Sequence, residues 1–239
     1  MYACILDFEA TCCDFNTTGK ELLFSKNEME IIEFPSILLK LENGKVQYVD
    51  TFREYIKPVI HPKLTDFCTN LTKIQQRTVD ESDILENVYK RHYIWLIENI
   101  NDGQVFFVTA GDWDLVTQLP RECELKNIDV HDVYKRVLNI KDPYRKIHPN
   151  GKCGMMAMLE KLKIAHVGIH HSGLDDCKNI ANIFTFLYTA NPNYIFKCIK
   201  DLTIKNKVKK GTNTYGKYND KKNNKKDGNN DEKEDNNEK

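Results

Sequence analysis

Ile5-Leu6-Asp7-Phe8-Glu9-Ala10-Thr11 begins as an apolar strand and ends on two carboxylates spaced two residues apart. Alternate residues of a strand project to the same side, so Asp7 and Glu9 share a face and can grip one cation. Taken alone, such a pair also describes an ordinary polar strand end. Its meaning therefore turns on whether further acids arrive at comparable places in the chain.

Two do. Gln104-Val105-Phe106-Phe107-Val108-Thr109 reads as a second strand and runs into Ala110-Gly111-Asp112-Trp113-Asp114, where Asp114 opens a helical pattern through Leu115 and Leu119. His171-Ser172-Gly173-Leu174-Asp175-Asp176 stands before an amphipathic stretch with Ile180, Ile183, Phe184 and Leu187 at helical spacing. Ser172 and Asp175 fit a capping box, which starts that helix near Gly173, leaves His171 in the preceding loop and puts Asp176 in the first turn. Divalent ions that act on phosphate favour carboxylate oxygens at such positions.

Between these stretches the pattern alternates strands with helices. Ile31–Leu41 and Val46–Ile56 read as strands joined by the turn signal Glu42-Asn43-Gly44, with Pro35 implying a bulge or interrupted ladder. A helix over Asp83–Ile100 follows, with Ile84, Val88, Ile94, Ile97 and Ile100 among its apolar positions. After Asp114 come a helix, a loop-rich section around Pro143 to Gly151, a helix through Met155 to Leu162 and the final helix. About 200 residues suffice for one α/β domain with a substantial core.

Taken together, Asp-Phe-Glu-Ala-Thr-Cys (7–12), Glu-Ile-Ile-Glu-Phe-Pro (30–35), Asp-Phe-Cys-x-x-Leu-Thr (66–72), Gly-x-Trp-Asp (111–114), Met-Leu-Glu-Lys-Leu (158–162) and Gly-Leu-Asp-Asp-x-Lys-Asn-Ile-Ala (173–181) resemble the DEDDh 3'-to-5' exonucleases of the ribonuclease T and proofreading-exonuclease superfamily. Within it they look like the ERI-1 / 3'hExo histone-mRNA exonuclease branch, collinear from residue 2 to about residue 190. The resemblance implies a ribonuclease H-like mixed sheet flanked by helices in a single α/β domain, 1–204. It also implies metal-dependent 3'-to-5' exoribonuclease activity on RNA 3' ends such as histone mRNA, small RNA or rRNA. The superfamily includes enzymes that trim DNA, so DNA stays open as substrate, as does an inactive nucleic-acid-binding scaffold.

Carried over by position, Asp7, Glu9, Asp114 and Asp176 would hold two Mg2+ or Mn2+ ions, and His171 would be the general base. Histidine suits that task because its ordinary pKa lies near 6.5. His170 is adjacent, but only His171 stands five residues before Asp176, the family's step. By the same resemblance Trp113, Phe67 and Leu71 would cradle the terminal base and the backbone from Phe8 to Ala10 would meet the sugar. Phe67 and Leu71, four apart, share one side of a helical turn, where core packing is the alternative. Asp112 departs from the family pattern; it either perturbs a neighbouring carboxylate or is a solvated turn residue.

Composition changes after Ile204. Residues 205–239 contain eleven Lys, seven Asp or Glu and nine Asn, too little apolar surface to offset chain entropy, so disorder is expected. The whole chain is neutral, 35 basic against 35 acidic residues, which leaves residues 1–204 with a net charge of −4. The lysines of the tail would add attraction to a polyanion. Eight cysteines form no Cys-x-x-Cys pair, and there is neither a secretory signal nor a run of eighteen apolar residues. The expectation is a reduced protein of the cytoplasm or nucleus, not a secreted one.

Overall fold

The computed structural model describes residues 1–14 and 23–205. The strands are β1 (Tyr2–Leu6), β2 (Glu9–Ala10), β3 (Ile31–Glu42), β4 (Lys45–Tyr55), β5 (Val105–Thr109) and β6 (Val137–Asn139). The helices are α1 (Asp66–Thr72), α2 (Gln76–Asp80), α3 (Leu85–Ile100), α4 (Leu119–Leu125), α5 (Lys141–Ile147), α6 (Met155–Leu162), α7 (Gly173–Ala190) and α8 (Pro192–Lys205). The lysine-rich segment lies, from residue 206 on, outside the described residues.

The six strands form one mixed sheet. β1 runs antiparallel to β3 and parallel to β5, β5 is parallel to β6, and β4 pairs with β3 on its other side. Asn43 (φ 52°) and Gly44 (φ 74°) both take the left-handed conformation that the twist of a tight hairpin requires. The chain crosses from β1 to β2 on the same side of β3, with Leu6 opposite Ser36 and Glu9 opposite Glu33, so Pro35 falls opposite Asp7. Proline has no N–H to give, and the ladder is interrupted at that step. On the β4 side the ladder continues past Pro35, opposite Arg53, and a register shift appears only at Leu38/Leu39.

Alternation sorts the core. Ala3, Ile5, Ile37, Leu39, Phe106 and Val108 face one layer with α6, α7 and α8, while Cys4, Leu6, Phe8, Leu38, Val105 and Phe107 face the other with α3 and α4. Asp7 and Glu9 continue the phase of Ala3 and Ile5, toward α7.

The structure departs from sequence expectation in three places. The supposed loop after Pro143 starts as α5, because proline as third residue falls in a first turn, where its missing N–H costs nothing. In α3 the inward face is Leu85, Val88, Tyr89, His92, Leu96 and Ile100, whereas Ile84, Ile94 and Ile97 are exposed. Steps of three and four from Leu85 define that face, and Ile94 and Ile97 fall off it. The capping box at α7 does not form: the Ser172 side chain makes no cap bond, and Asp175 instead accepts from the Ile169 N–H and pairs with Lys178.

Candidate metal centre and nucleic-acid cleft

Four acids reach one place from three parts of the fold. Asp7 occupies the break between β1 and β2, Glu9 begins β2, Asp114 follows β5, and Asp176 lies in the first turn of α7. Carboxylate oxygens of Asp7, Glu9 and Asp176 lie within 4.8 Å of one another. Asp114 stands outside that group; it is buried, close enough to Asp7 to raise its pKa, and accepts the Phe8 N–H at 2.9 Å. It sits in a wide, π-helical turn (Trp113–Gln118) that precedes α4, a winding that recurs at functional sites.

Among the described residues this centre lacks a matching number of cations. Burial pushes the Asp7 carboxyl well above the usual carboxylate range, and Asp114, Asp176 and Glu33 add to the push, opposed by Lys141. Burial, then Asp7, Glu33 and Asp176, lift Glu9 to about 10. Burial raises Asp114 to about 6, partly offset by its bonds to backbone N–H groups and by Lys141. Buried carboxylates are ordinarily paired or metal-bound. An all-carboxylate oxygen set fits hard cations such as Mg2+ or Mn2+, which bind through a few acids plus a phosphate ligand.

Both histidines adjoin Asp176. The His170 ring places Nδ1 3.1 Å from its Oδ2, while His171 donates its backbone N–H to the same oxygen at 2.8 Å. The two rings stack with centroids 3.9 Å apart. His171 takes a left-handed backbone (φ 66°), and its half-buried ring is held below the usual histidine value by burial and by His170.

The aromatic residues divide. Trp113, next to Asp114 in the chain, is 36% exposed, and Phe67, in α1, is 42% exposed. Leu71 packs partly into a small cluster with Cys12, Ile32, Cys68 and Val79. The side chains of Phe8 and Ala10 are buried, Phe8 edge-on to Phe34 at 4.6 Å, so only their backbone is left to meet a ligand. Asp112 is exposed and accepts from Asn139, as a turn residue would.

Sequence reasoning assigned no role to Glu33, Arg53 or Lys141. Glu33 is fully buried, bonded to Arg53 Nε at 2.8 Å and to the Gly173 N–H at 3.2 Å. A signal existed: an acid inside the otherwise apolar run Ile31-Ile32-Glu33-Phe34 demands a partner. Arg53 and Lys141 carried no local signal, since each is one cation among many.

Residues 4–184 match the family model described as exonuclease (RNase_T). Human ERI1 exoribonuclease 3 is 42% identical over 200 residues, covering 82% of this chain and 56% of that protein. Human 3'-5' exoribonuclease 1 is 36% identical over 186 residues, 76% of this chain and 51% of that one. The chain thus spans about half the length of the curated relatives it matches. The crystal structure of the nuclease domain of 3'hExo, a DEDDh family member bound to rAMP, superposes with a TM-score of 0.70 at 34% identity, covering 79% of this chain and 92% of that domain.

Proposed function

The chain belongs to the exonuclease (RNase_T) family, and from that premise we propose that it is a metal-dependent 3'-to-5' exoribonuclease that releases nucleoside 5'-monophosphates. Its substrates on this reading are structured or small RNA 3' ends, of the histone mRNA, small RNA or rRNA kind. The observation that carries the reading is the buried set Asp7, Glu9, Asp114 and Asp176, whose charge the neighbouring side chains do not balance.

Those four acids would hold two Mg2+ or Mn2+ ions. Bound there, such ions would make water a nucleophile near neutral pH and stabilise the charge that develops on the leaving 3'-oxygen. His171 takes the proton of the attacking water. Its lowered pKa keeps the ring neutral, the form a base must have. Attack on the terminal phosphodiester breaks the bond to the 3'-oxygen, and the products are a nucleoside 5'-monophosphate and a strand one nucleotide shorter. Trp113 and Phe67 offer faces on which any base stacks, with Leu71 beside them, which makes trimming tolerant of sequence. The backbone of Phe8 to Ala10 meets the sugar.

The test is incubation with 3'-overhang RNA and DNA of one sequence, with Mg2+, Mn2+ or EDTA. Metal-dependent stepwise shortening of RNA from its 3' end, faster than that of DNA, supports the reading. Faster loss of DNA replaces its substrate class, and no loss of either with binding retained overturns it in favour of a scaffold. His170→Ala beside His171→Ala decides the base: the variant that loses roughly 10²- to 10⁴-fold in kcat marks it.

A further inference from the structure

The N-terminus of α7 lacks a local cap, yet it carries the acid that must meet the strand acids. Its first residue, Gly173, is pressed against the strand break: a Cβ there would lie 2.8 Å from the Asp7 carbonyl oxygen and 2.8 Å from Pro35 Cγ. Only glycine permits that approach. The open N–H groups of a helix start need acceptors. Asp176 turns back to the His171 N–H, and the Ser172 side chain contributes nothing. The Gly173 N–H is met by Glu33 from 140 residues away, at 3.2 Å.

Glu33 is itself held. Arg53 Nε lies 2.8 Å from its other oxygen, and the Arg53 guanidinium also reaches the Tyr55 hydroxyl. Glu33 stands directly opposite Glu9 in the ladder, so the two side chains lie on the same face. With one oxygen on Gly173 and the other on Arg53, Glu33 is committed to protein partners.

We propose that Glu33 is a positioning residue that clamps the start of α7 to the sheet, setting the separation between the strand acids Asp7 and Glu9 and the helix acid Asp176. The proposal rests on the reading of those acids as metal ligands. Altering partners behind metal ligands typically costs roughly 10- to 100-fold in metal affinity or activity, and a clamp that acts through the spacing of the acids should show that cost in affinity. Arg53, on β4, is the anchor behind the clamp.

Glu33→Gln is the informative variant because it keeps the shape and an acceptor for Gly173 while losing the charge that binds Arg53. In the 239-residue chain, with RNA cleavage read against Mg2+ concentration, its half-saturation should rise roughly 10- to 100-fold. Saturating Mg2+ should restore kcat, and KM for RNA should stay within about twofold. Asp176→Asn, a ligand variant, should not be rescued. Unchanged Mg2+ dependence in Glu33→Gln overturns the proposal, as does a loss that no Mg2+ concentration restores.

Two readouts do not need activity. Mn2+ should raise the melting temperature of Glu33→Gln only at concentrations shifted upward by the same factor, and amide exchange at Gly173 should quicken relative to α7's interior. If the wild type proves not to need metal for cleavage, the functional reading falls, and identical Mn2+ shifts and Gly173 exchange in both proteins would sink the clamp separately. Should Glu33→Gln not fold, Arg53→Met answers instead: an upward shift of the Mg2+ requirement by at least about threefold supports the clamp, and none overturns it.

Discussion

Two clusters of buried acids flank the β3 strand, and they differ in how closely cations meet them. In one, Glu30 and Glu122 lie on either side of Lys126, at 2.8 and 2.7 Å. Glu30 also accepts the backbone N–H groups of Val59, Ile60 and His61, and Glu122 accepts those of Ile31 and the Gln118 side chain. Burial pushes the Glu30 carboxyl up, but Lys126 and the N–H groups outweigh it and hold it below the ordinary value. In the other, Asp7, Glu9 and Asp114 are all driven upward, with Lys141 the cation that opposes this at Asp7 and Asp114. Glu122, in the first cluster, stays above its ordinary value through burial, which Lys126 and its bonds to the Ile31 N–H and Gln118 only partly offset. Folding tolerates both clusters, but among the described residues only in the first does a cation touch each acid. The difference lies in what each cluster already holds: Glu30 ties a loop to the sheet with Lys126 against it, whereas the Asp7 centre keeps the charge that the proposed cation would offset.

The comparison breaks most sharply under substitution. Asp7→Asn should lose several kcal/mol of transition-state stabilisation, roughly 10³- to 10⁴-fold in kcat, while its metal-free stability equals or exceeds the wild type because a repelling buried charge is gone. Steady-state kinetics beside urea unfolding in EDTA checks both halves, and a large loss of metal-free stability would erase the contrast. Lys126→Met should do the reverse. Removing one partner from buried pairs costs about 3–5 kcal/mol, read in the same unfolding experiment, with kcat per folded molecule nearly unchanged.

The pH dependence of stability sharpens the contrast further. The Asp7 centre has folded-state pKa values above those of the unfolded chain, so the metal-free native state binds more protons than the unfolded one. That window runs from the ordinary carboxylate range up to about 6 for Asp114 and about 10 for Glu9. In it, stability falls as pH rises, by at most about 1.4 kcal/mol per pH unit for each proton bound. Glu30 has the opposite sign: its contribution is present above the ordinary Glu value and is lost as pH falls through its lowered one. Urea midpoints in EDTA from pH 5 to 8 should therefore decline for the wild type and flatten in Asp7→Asn. Added Mn2+ should reverse the wild-type trend, since protons compete with the ion for the acids.

The smallest expected effect lies at the rim. Phe67→Ala should raise KM for RNA by an amount equivalent to about 1–3 kcal/mol if its open face stacks a base, and leave stability within about 1 kcal/mol because the ring is 42% exposed. Binding measured at fixed salt distinguishes this from a packing role, which would lower stability and spare KM.

The two glutamates of Glu30-Ile31-Ile32-Glu33 show where local reading stops. Three residues apart in one apolar motif, they serve different clusters, and nothing within the motif separates them. One meets Lys126 from α4; the other meets Arg53 from β4 and Gly173 from α7. The α7 cap failed as a local forecast because Asp175 is taken by the Ile169 N–H and Lys178, while the Gly173 N–H goes to the distant Glu33. His170 and His171 differ by one residue in sequence, yet both contact Asp176, one by ring and one by backbone.

Strand periodicity, the turn at Asn43-Gly44 and the helical phase after Gly173 are short-range properties, and the sequence alone was enough to determine the alternating architecture, the family and which acids point to one side of a strand. That Asp7 falls opposite Pro35, that Glu33 caps α7 and that Lys126 touches both acids of one cluster were decided by tertiary structure. Those features depend on the distance and dielectric between groups up to 140 residues apart, and electrostatic energies in a protein interior follow separation in space rather than along the chain.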